Sequence, residues 1–246
     1  MNSNPTDNIR IAASLMVLRD GAQGVEVLLM RRPERGSDDF RSGMWVFPGG
    51  VVDPGDVELA AHCHGLSEEQ ARTRLGDAAG SQRHFAAALR ECFEVAGVLF
   101  ACGRDGAAVD VAARHDELMD WRHRVHAGQA SLTAMLSQLN WQLDLRELAF
   151  FAHWLTPPTR PKRFDTRFFV TRMPKQQRAQ ADEREALELR WVLPAQAALP
   201  DSGLNMLRVT RHLLGQLAGF ASAQAGCEQA RAAQGVNRIS PDSHQA

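Results

Sequence analysis

Residues 85–98 read FAAALRECFEVAGV, and this stretch decides the fold prediction. Its apolar residues recur at helical spacing and define one side of a helix, namely Phe85, Leu89, Cys92 and Ala96. Gly97 follows directly and is typical of the glycine that ends a helix in a left-handed conformation. The stretch therefore predicts an amphipathic helix whose apolar side packs on the rest of the protein.

Charged residues occupy the other side of this predicted helix. Glu91 and Glu94 are three positions apart and share a face, and Arg90 is close enough to pair with Glu94. The carboxyl end of a helix is electronegative, so two carboxylates near it favour a bound divalent cation. Mg²⁺ prefers carboxylate oxygens and binds through few protein ligands plus substrate phosphates. Taken alone, the three charged residues are also typical of a solvated helix face.

A glycine turn lies upstream, where residues 45–56 read WVFPGGVVDPGD. The Trp45–Phe47 segment predicts a short strand that Pro48 ends. Gly49 and Gly50 let the backbone approach a ligand closely, and a carbonyl in this turn can join a metal shell. A metal held there would neutralise a diphosphate and lower the pKa of an attacking water.

Strand and helix patterns alternate along the rest of the chain. The strand patterns cover 11–18, 25–30, 148–155, 167–171 and 191–193, and the helix patterns cover 68–75, 108–139, 194–199 and 204–220. Within 108–139 the stretch HAGQAS separates a first helical segment from a second one near 132–139. This mixture predicts a single α/β (α+β) domain over 9–220 that forms a sandwich around a mixed sheet. Inserts are expected at 57–83 and 108–139, and flexible tails at 1–8 and 221–246.

Arginines flank two of the predicted strands. Arg31 and Arg32 follow one strand, and Arg163 and Arg167 lie in or next to another. A planar guanidinium group can donate two hydrogen bonds to a phosphate, so these four are candidate substrate-binding residues. The alternative is that they are ordinary exposed residues at strand ends.

Composition limits the class of protein. The 246 residues include 28 basic and 29 acidic side chains, which gives a net charge of −1 and no indication of a nucleic-acid-binding surface. The four cysteines show no CxxC spacing, which predicts reduced thiols. No apolar run approaches the roughly 20 residues that cross a bilayer. The sequence therefore predicts a cytoplasmic protein without nucleic-acid or membrane partners and leaves a homodimer open.

Together, the glycine turn and the predicted helix resemble the Nudix box, Gx5Ex7REUxEExGU, where U is a bulky aliphatic residue. Gly50 stands at the first glycine, Asp56 at the first glutamate, and 90–98 resembles the second half. The spacer of 33 residues after Asp56 resembles the long-insert branch that includes peroxisomal-type acyl-CoA diphosphatases. Four segments resemble that branch as well, Val46–Asp53, Trp154–Pro157, Arg163–Phe169 and Glu185–Trp191.

The resemblance implies a Nudix α/β/α sandwich and a hydrolase of diphosphate linkages that uses Mg²⁺ or Mn²⁺. The implied catalytic residues are Arg90, Glu91 and Glu94, the implied metal ligands are Gly50, Glu91, Glu94 and Glu185, and Gly49 and Gly50 join the arginines in binding substrate. Either Glu91 or an acid between Asp182 and Glu188 would help to deprotonate water. The implied substrate is a small-molecule diphosphate, either coenzyme A or an acyl-CoA, or a nucleoside diphosphate derivative.

One position departs from the box. The last glutamate of REUxEE normally ligates the metal, and this chain has Val95 there, which cannot bind a cation. Other acids such as Asp56 or Glu185 could replace the missing oxygen in a functioning hydrolase. The alternative is a catalytically weakened or inactive Nudix module that binds a nucleotide, a coenzyme A ligand or a partner protein. A structural protein without a ligand is the third interpretation.

Overall fold

The computed structural model describes residues 9–34, 41–76, 80–160 and 162–233 and the backbone of 238–239. The strands are β1 (Ile9–Gly21), β2 (Gly24–Arg31), β3 (Trp45–Val46), β4 (Gly49–Val51), β5 (Cys63–His64), β6 (Ala101–Gly103), β7 (Trp141–Asp144), β8 (Ala149–Leu155), β9 (Arg163–Arg172), β10 (Glu188–Val192) and β11 (Arg238–Ile239). The helices are α1 (Gly55–Ala60), α2 (Glu68–Leu75), α3 (Gln82–Ala96), α4 (His115–His126), α5 (Leu132–Leu139), α6 (Pro194–Ala197), α7 (Arg208–Leu217) and α8 (Ala223–Ala232), with a 3₁₀ turn at Ala112–Arg114.

A mixed sheet forms the centre of the described structure. Its strands follow the order β10-β2-β1-β9-β8-β11, while β3 pairs with β2 and β4 pairs with β1. β1 runs parallel to β9, with Ala13 opposite Arg167, and antiparallel to β2 and β4. A smaller sheet is formed by β5, which lies in the first insert, with β6 and β7, which flank the second.

β1 is central because its side chains are apolar on both faces of the sheet. Leu15 and Val17 belong to the core that contains the buried residues of α3, whereas Met16 and Leu18 belong to the core formed with α7 and α8. Burying one such side chain stabilises the fold by about 1.5–3 kcal/mol. The resulting layers, α3 on one face and α7 with α8 on the other, confirm the predicted sandwich.

Most predicted elements are present with shifted ends. The predicted helix at 85–96 begins three residues earlier, and Gly97 ends it with φ at 67°. The predicted helix at 204–220 is shorter, because the segment before Arg208 is extended and Asn205 accepts a hydrogen bond from Trp45 N at 2.8 Å. The region 108–139 contains the 3₁₀ turn and α4, followed by α5 at Leu132–Leu139, so the predicted division into two helical segments is confirmed.

The predicted flexible tail at 221–246 is wrong for α8. Ser222 caps this helix by accepting a hydrogen bond from Ala225 N, and Cys227 is fully buried against the sheet. Small residues let the helix pack closely on β8 and β9. The low hydrophobicity of this segment did not predict such packing. The other predicted tail, 1–8, lies outside the described residues.

Two further sequence predictions concern thiols and membranes. The cysteines are all free thiols, as predicted. None of the helices in the described ranges combines the length and apolar character needed to cross a membrane.

Candidate functional site

The α3 helix places Glu91 directly against the glycine turn. A Cβ atom at Gly50 would overlap both carboxylate oxygens of Glu91, so a residue other than glycine cannot occupy this position without displacing the carboxylate. A Cβ atom at Gly49 would lie 2.6 Å from the Cα atom of Ser14 in β1. The two glycines therefore allow close packing of β4 between β1 and α3.

Glu91 is a buried carboxylate in a negative environment. Only 7% of its surface is exposed, and this burial is the main reason why the pKa of Glu91 rises to about 8. The charge of Arg90 opposes the rise, and the charges of Glu94 and Glu185 add to it. Burial also raises the pKa of Glu94. Burial and the neighbouring carboxylates thus disfavour the charged form of Glu91, and a nearby cation would favour it.

Arg90 organises the carboxylates around it. Its Nε and Nη2 atoms donate to the two oxygens of Asp56 at 2.7 and 3.0 Å, and Nη1 donates to Glu94 Oε2 at 2.9 Å. Nη2 also donates to the Val51 carbonyl at 3.0 Å, and Nη1 lies 3.1 Å from Glu91 Oε1. Burial alone would lower the pKa of Arg90, but the bonded carboxylates raise it. Arg90 therefore stays charged, and Asp56 is its partner rather than a substitute for the missing ligand.

The carboxyl end of α3 is connected to the loop that carries Glu185. His126 of α4 contacts the Glu94 carbonyl through Nε2 at 2.7 Å, and the same nitrogen lies 3.5 Å from Asp182 Oδ2. Asp182 in turn accepts a hydrogen bond from Glu185 N at 3.1 Å. The predicted insert that contains α4 thus connects the helix of Glu91 to the loop of Glu185. No sequence pattern indicated this role for His126.

The predicted metal ligands are brought together only in part. Among the described residues, no group of three or more His, Cys, Asp or Glu side chains is arranged to hold a metal ion. Val95 is 1% exposed, packs in the apolar core and adds no oxygen. Glu91 contacts Gly50 and Glu94 is bonded to Arg90, while Glu185 is exposed.

The chemistry of these donors still fits a hard cation. Glu91, Glu94 and Glu185 concentrate negative charge, since the latter two raise the pKa of the first. Mg²⁺ and Mn²⁺ favour carboxylate, carbonyl and water oxygens. A cation that keeps several waters and also binds substrate phosphates needs few protein ligands. The donor set present suits an ion of this kind.

A cavity of about 290 Å³ adjoins the glycine turn. Its described lining includes four aromatic side chains and four arginines but no acidic residue, the eight being Phe47, Trp154, Phe164, Phe168, Arg32, Arg41, Arg160 and Arg208. Gly50 lines this cavity and also contacts Glu91, so one residue joins the cavity to the buried carboxylate. Apolar walls with a few charged groups are typical of a ligand site, and arginines favour an anionic ligand.

The predicted substrate-binding residues divide into two groups. Arg32, Gly49 and Gly50 line the cavity. The other three arginines lie elsewhere: Arg31 Nε is 3.4 Å from Glu188 Oε2, Arg163 Nε donates to the Thr156 carbonyl, and Arg167 Nη1 is 2.9 Å from Asp165 Oδ1. Roles for these three in substrate binding stay predictions.

Sequence reasoning missed three of the arginines that line the cavity. Arg41 and Arg160 lie in polar loops before the glycine turn and after Trp154–Pro157, and Arg208 begins α7. For Arg41 and Arg160, the available signal was their proximity to the glycine turn and to the Trp154–Pro157 segment. Nothing local distinguishes Arg208 from other exposed arginines.

Comparison with known proteins gives consistent matches. The chain is 29% identical over 217 residues to human acyl-coenzyme A diphosphatase NUDT19 and 24% identical over 205 residues to the Xenopus laevis protein of that name. These matches cover 72% and 70% of this chain but 55% and 53% of the relatives, so the chain spans about half of their length. The crystal structure of a NUDIX hydrolase from Alicyclobacillus acidocaldarius superposes with a TM-score of 0.75 and 28% identity, covering 96% of this chain and all of that one. The family model described as the NUDT19 Nudix domain matches residues 69–200, more than half of the sequence, and the chain therefore belongs to this Nudix family.

Proposed function

We propose that this chain is a metal-dependent hydrolase that cleaves the diphosphate linkage of coenzyme A or of an acyl-CoA. The observation that carries the proposal is the buried Glu91 carboxylate at Gly50, a residue that also lines an arginine-rich cavity. The activity named for the human and Xenopus laevis relatives supports the substrate class.

Each residue of the site has a role in this proposal. Arg90 fixes the orientation of the carboxylates, and Glu91 accepts a proton from the attacking water. Gly50, Glu91, Glu94 and Glu185 would supply oxygens to Mg²⁺ or Mn²⁺. When bound, such an ion neutralises phosphate charge and lowers the pKa of water. The aromatic walls of the cavity would hold the adenosine part of the substrate.

A product assay tests the proposal. The purified chain is incubated with Mg²⁺ or Mn²⁺ and with coenzyme A, acetyl-CoA, NADH or ADP-ribose, and products are separated by chromatography. We expect a phosphopantetheine and an adenosine bisphosphate from the first substrate. Glu91→Gln should lower kcat by about a hundred-fold or more, as loss of a general base does. Glu117→Gln removes an exposed carboxylate on α4 and serves as the control. Full activity of Glu91→Gln would contradict the proposal.

The panel also tests a nucleoside diphosphate derivative as the alternative substrate, because NADH and ADP-ribose belong to that class. Preferential hydrolysis of either one would support it.

A second candidate function is ligand binding without turnover. Val95 favours it, since a buried valine stands where the Nudix box supplies a metal-binding oxygen. A module of this kind would show a thermal shift with coenzyme A and no products with either metal.

A further inference from the structure

We infer that the amino end of α7, with Arg208 and Thr210, forms a subsite for a phosphate monoester on the nucleoside part of the substrate. The inference deepens the proposed function and rests on it. It adds that the ligand carries two separate anionic groups, a diphosphate near Glu91 and a second phosphate at α7.

The first observation is the direction of α7. This ten-residue helix begins at Arg208, and Leu207 at its cap position makes no side-chain capping bond. Arg211 N donates to the Leu207 carbonyl at 3.1 Å, which is the first hydrogen bond of the helix. The N–H groups of 208–210 precede it and have no acceptor within the helix. Leu207, Arg208, Val209 and Thr210 all line the cavity, so the positive end of the helix faces it.

The second observation is the Thr210 hydroxyl. Thr210 is 3% exposed and lines the cavity, yet its side chain makes no hydrogen bond to any residue in the described ranges. Buried hydroxyl groups normally have a hydrogen-bond partner. A ligand oxygen in the cavity would provide this partner, and the hydroxyl would donate to it.

The third observation is the charge of the cavity. Arg32, Arg41, Arg160 and Arg208 line it, and its described lining contains no carboxylate. The Arg41 guanidinium lies 4.4 Å from the centre of the Phe164 ring, so this charge is held at an aromatic wall. Such a surface favours a dianionic phosphate monoester over a neutral or singly charged group.

The subsite is separate from the carboxylate cluster. Glu91 belongs to α3, which packs on one face of the sheet, whereas α7 packs on the other face. An anion at α7 would therefore be a different group from the diphosphate that reaches Glu91. Coenzyme A carries a 3′-phosphate on its ribose in addition to its diphosphate, and NADH and ADP-ribose carry only the diphosphate.

A pair of substrates that differ only in this phosphate tests the inference. We expect kcat/KM for coenzyme A to exceed that for 3′-dephospho-coenzyme A by about ten-fold or more, the usual effect of a charge-assisted hydrogen bond. Arg208→Gln and Thr210→Val should reduce this ratio. Thr210→Ser keeps the hydroxyl group and should keep the wild-type ratio. Arg104→Gln removes an exposed arginine outside the cavity and should keep the wild-type ratio.

A binding measurement makes the test independent of turnover. Calorimetry without metal compares adenosine 3′,5′-bisphosphate with AMP, and we expect the bisphosphate to bind about ten-fold more tightly. Arg208→Gln should remove this difference, with circular dichroism as the check on folding. Equal affinity for the two nucleotides would overturn the inference, even if coenzyme A is hydrolysed. A retained preference without hydrolysis of any diphosphate would support the subsite and overturn the proposed enzymatic activity.

Discussion

Arg90 and Asp56 form a buried two-point ion pair that joins α3 to α1. Arg90 Nε lies 2.7 Å from Asp56 Oδ1, and Nη2 lies 3.0 Å from Oδ2. The Asp56 side chain is fully buried, and Oδ2 also accepts a hydrogen bond from Asp53 N at 2.7 Å. The long spacer therefore folds back so that the first and second halves of the Nudix box meet through this pair.

Replacing Asp56 should destabilise the protein strongly. Asp56→Asn leaves the Arg90 charge buried without its main partner, which costs about 3–5 kcal/mol for a pair of this kind. Urea denaturation measures the change. Asp53 provides the matched control, because it is 61% exposed and 3.6 Å from Arg90, and loss of such an exposed pair costs about 0–1 kcal/mol. Equal stability of the two variants would contradict the prediction.

Local patterns predicted the elements of the site well. The helical spacing before Gly97 and the apolar run of β1 are signals within one segment, and the structure places α3 and β1 accordingly. The contact of Glu91 with Gly50 could be predicted because both residues belong to one recognisable motif. These features depend on few contacts between residues that are distant in the sequence.

Other features depend on contacts that no single segment encodes. Arg208 lines the cavity because the extended segment before it pairs with β3, which brings the start of α7 beside the glycine turn. His126 contacts the end of α3 because an insert of low apolar content folds back onto the core. In α8, burial of small residues compensates for weak hydrophobicity, so composition indicated a tail.

A glutamate at position 95 should lower the stability of the metal-free protein and raise its affinity for metal. Val95→Glu buries a carboxylate at a site that is 1% exposed, so the melting temperature without metal should fall. Mn²⁺ should raise it again and by more than in the wild type, and kcat at limiting Mn²⁺ should increase by about ten-fold, since each hard ligand strengthens binding. Val95→Gln has the same shape without the charge. If it matches Val95→Glu in both measurements, the position has no connection to a metal.

His126 should act on turnover by positioning α3 and the Glu185 loop. His126→Ala removes the contact with the Glu94 carbonyl and with Asp182, so kcat should fall by about ten-fold, as small misplacement of reacting groups can cause. KM should change little, because the cavity is lined mainly by other elements. His126→Gln, whose amide can donate the same hydrogen bond, should recover most of the activity.

The control for this experiment is His123→Ala, an exposed histidine on the same helix. A rise in KM with unchanged kcat for His126→Ala, or no rescue by glutamine, would show that the residue does not position the site.

Glu68 should make the stability of α3 depend on pH. Its carboxylate accepts backbone hydrogen bonds from Gly80, Ser81 and Gln82 at 2.6, 2.8 and 2.9 Å, at the start of a helix whose own cap residue makes no side-chain capping bond. Burial alone would raise the pKa of Glu68, but the three N–H donors outweigh it and hold the pKa below its ordinary value of 4.5.

Because the pKa is lower in the folded state, the carboxylate stabilises the fold above pH 4.5, and this contribution is lost as the pH falls through the folded value. Glu68→Gln should therefore lower the free energy of unfolding at pH 7 by about 1 kcal/mol, the typical effect of a lost helix cap. The difference from wild type should shrink at lower pH. Glu69→Gln, at the exposed neighbouring position, should follow the wild-type stability at every pH. A constant difference between Glu68→Gln and wild type across the acid range would show that the charge is not what caps α3.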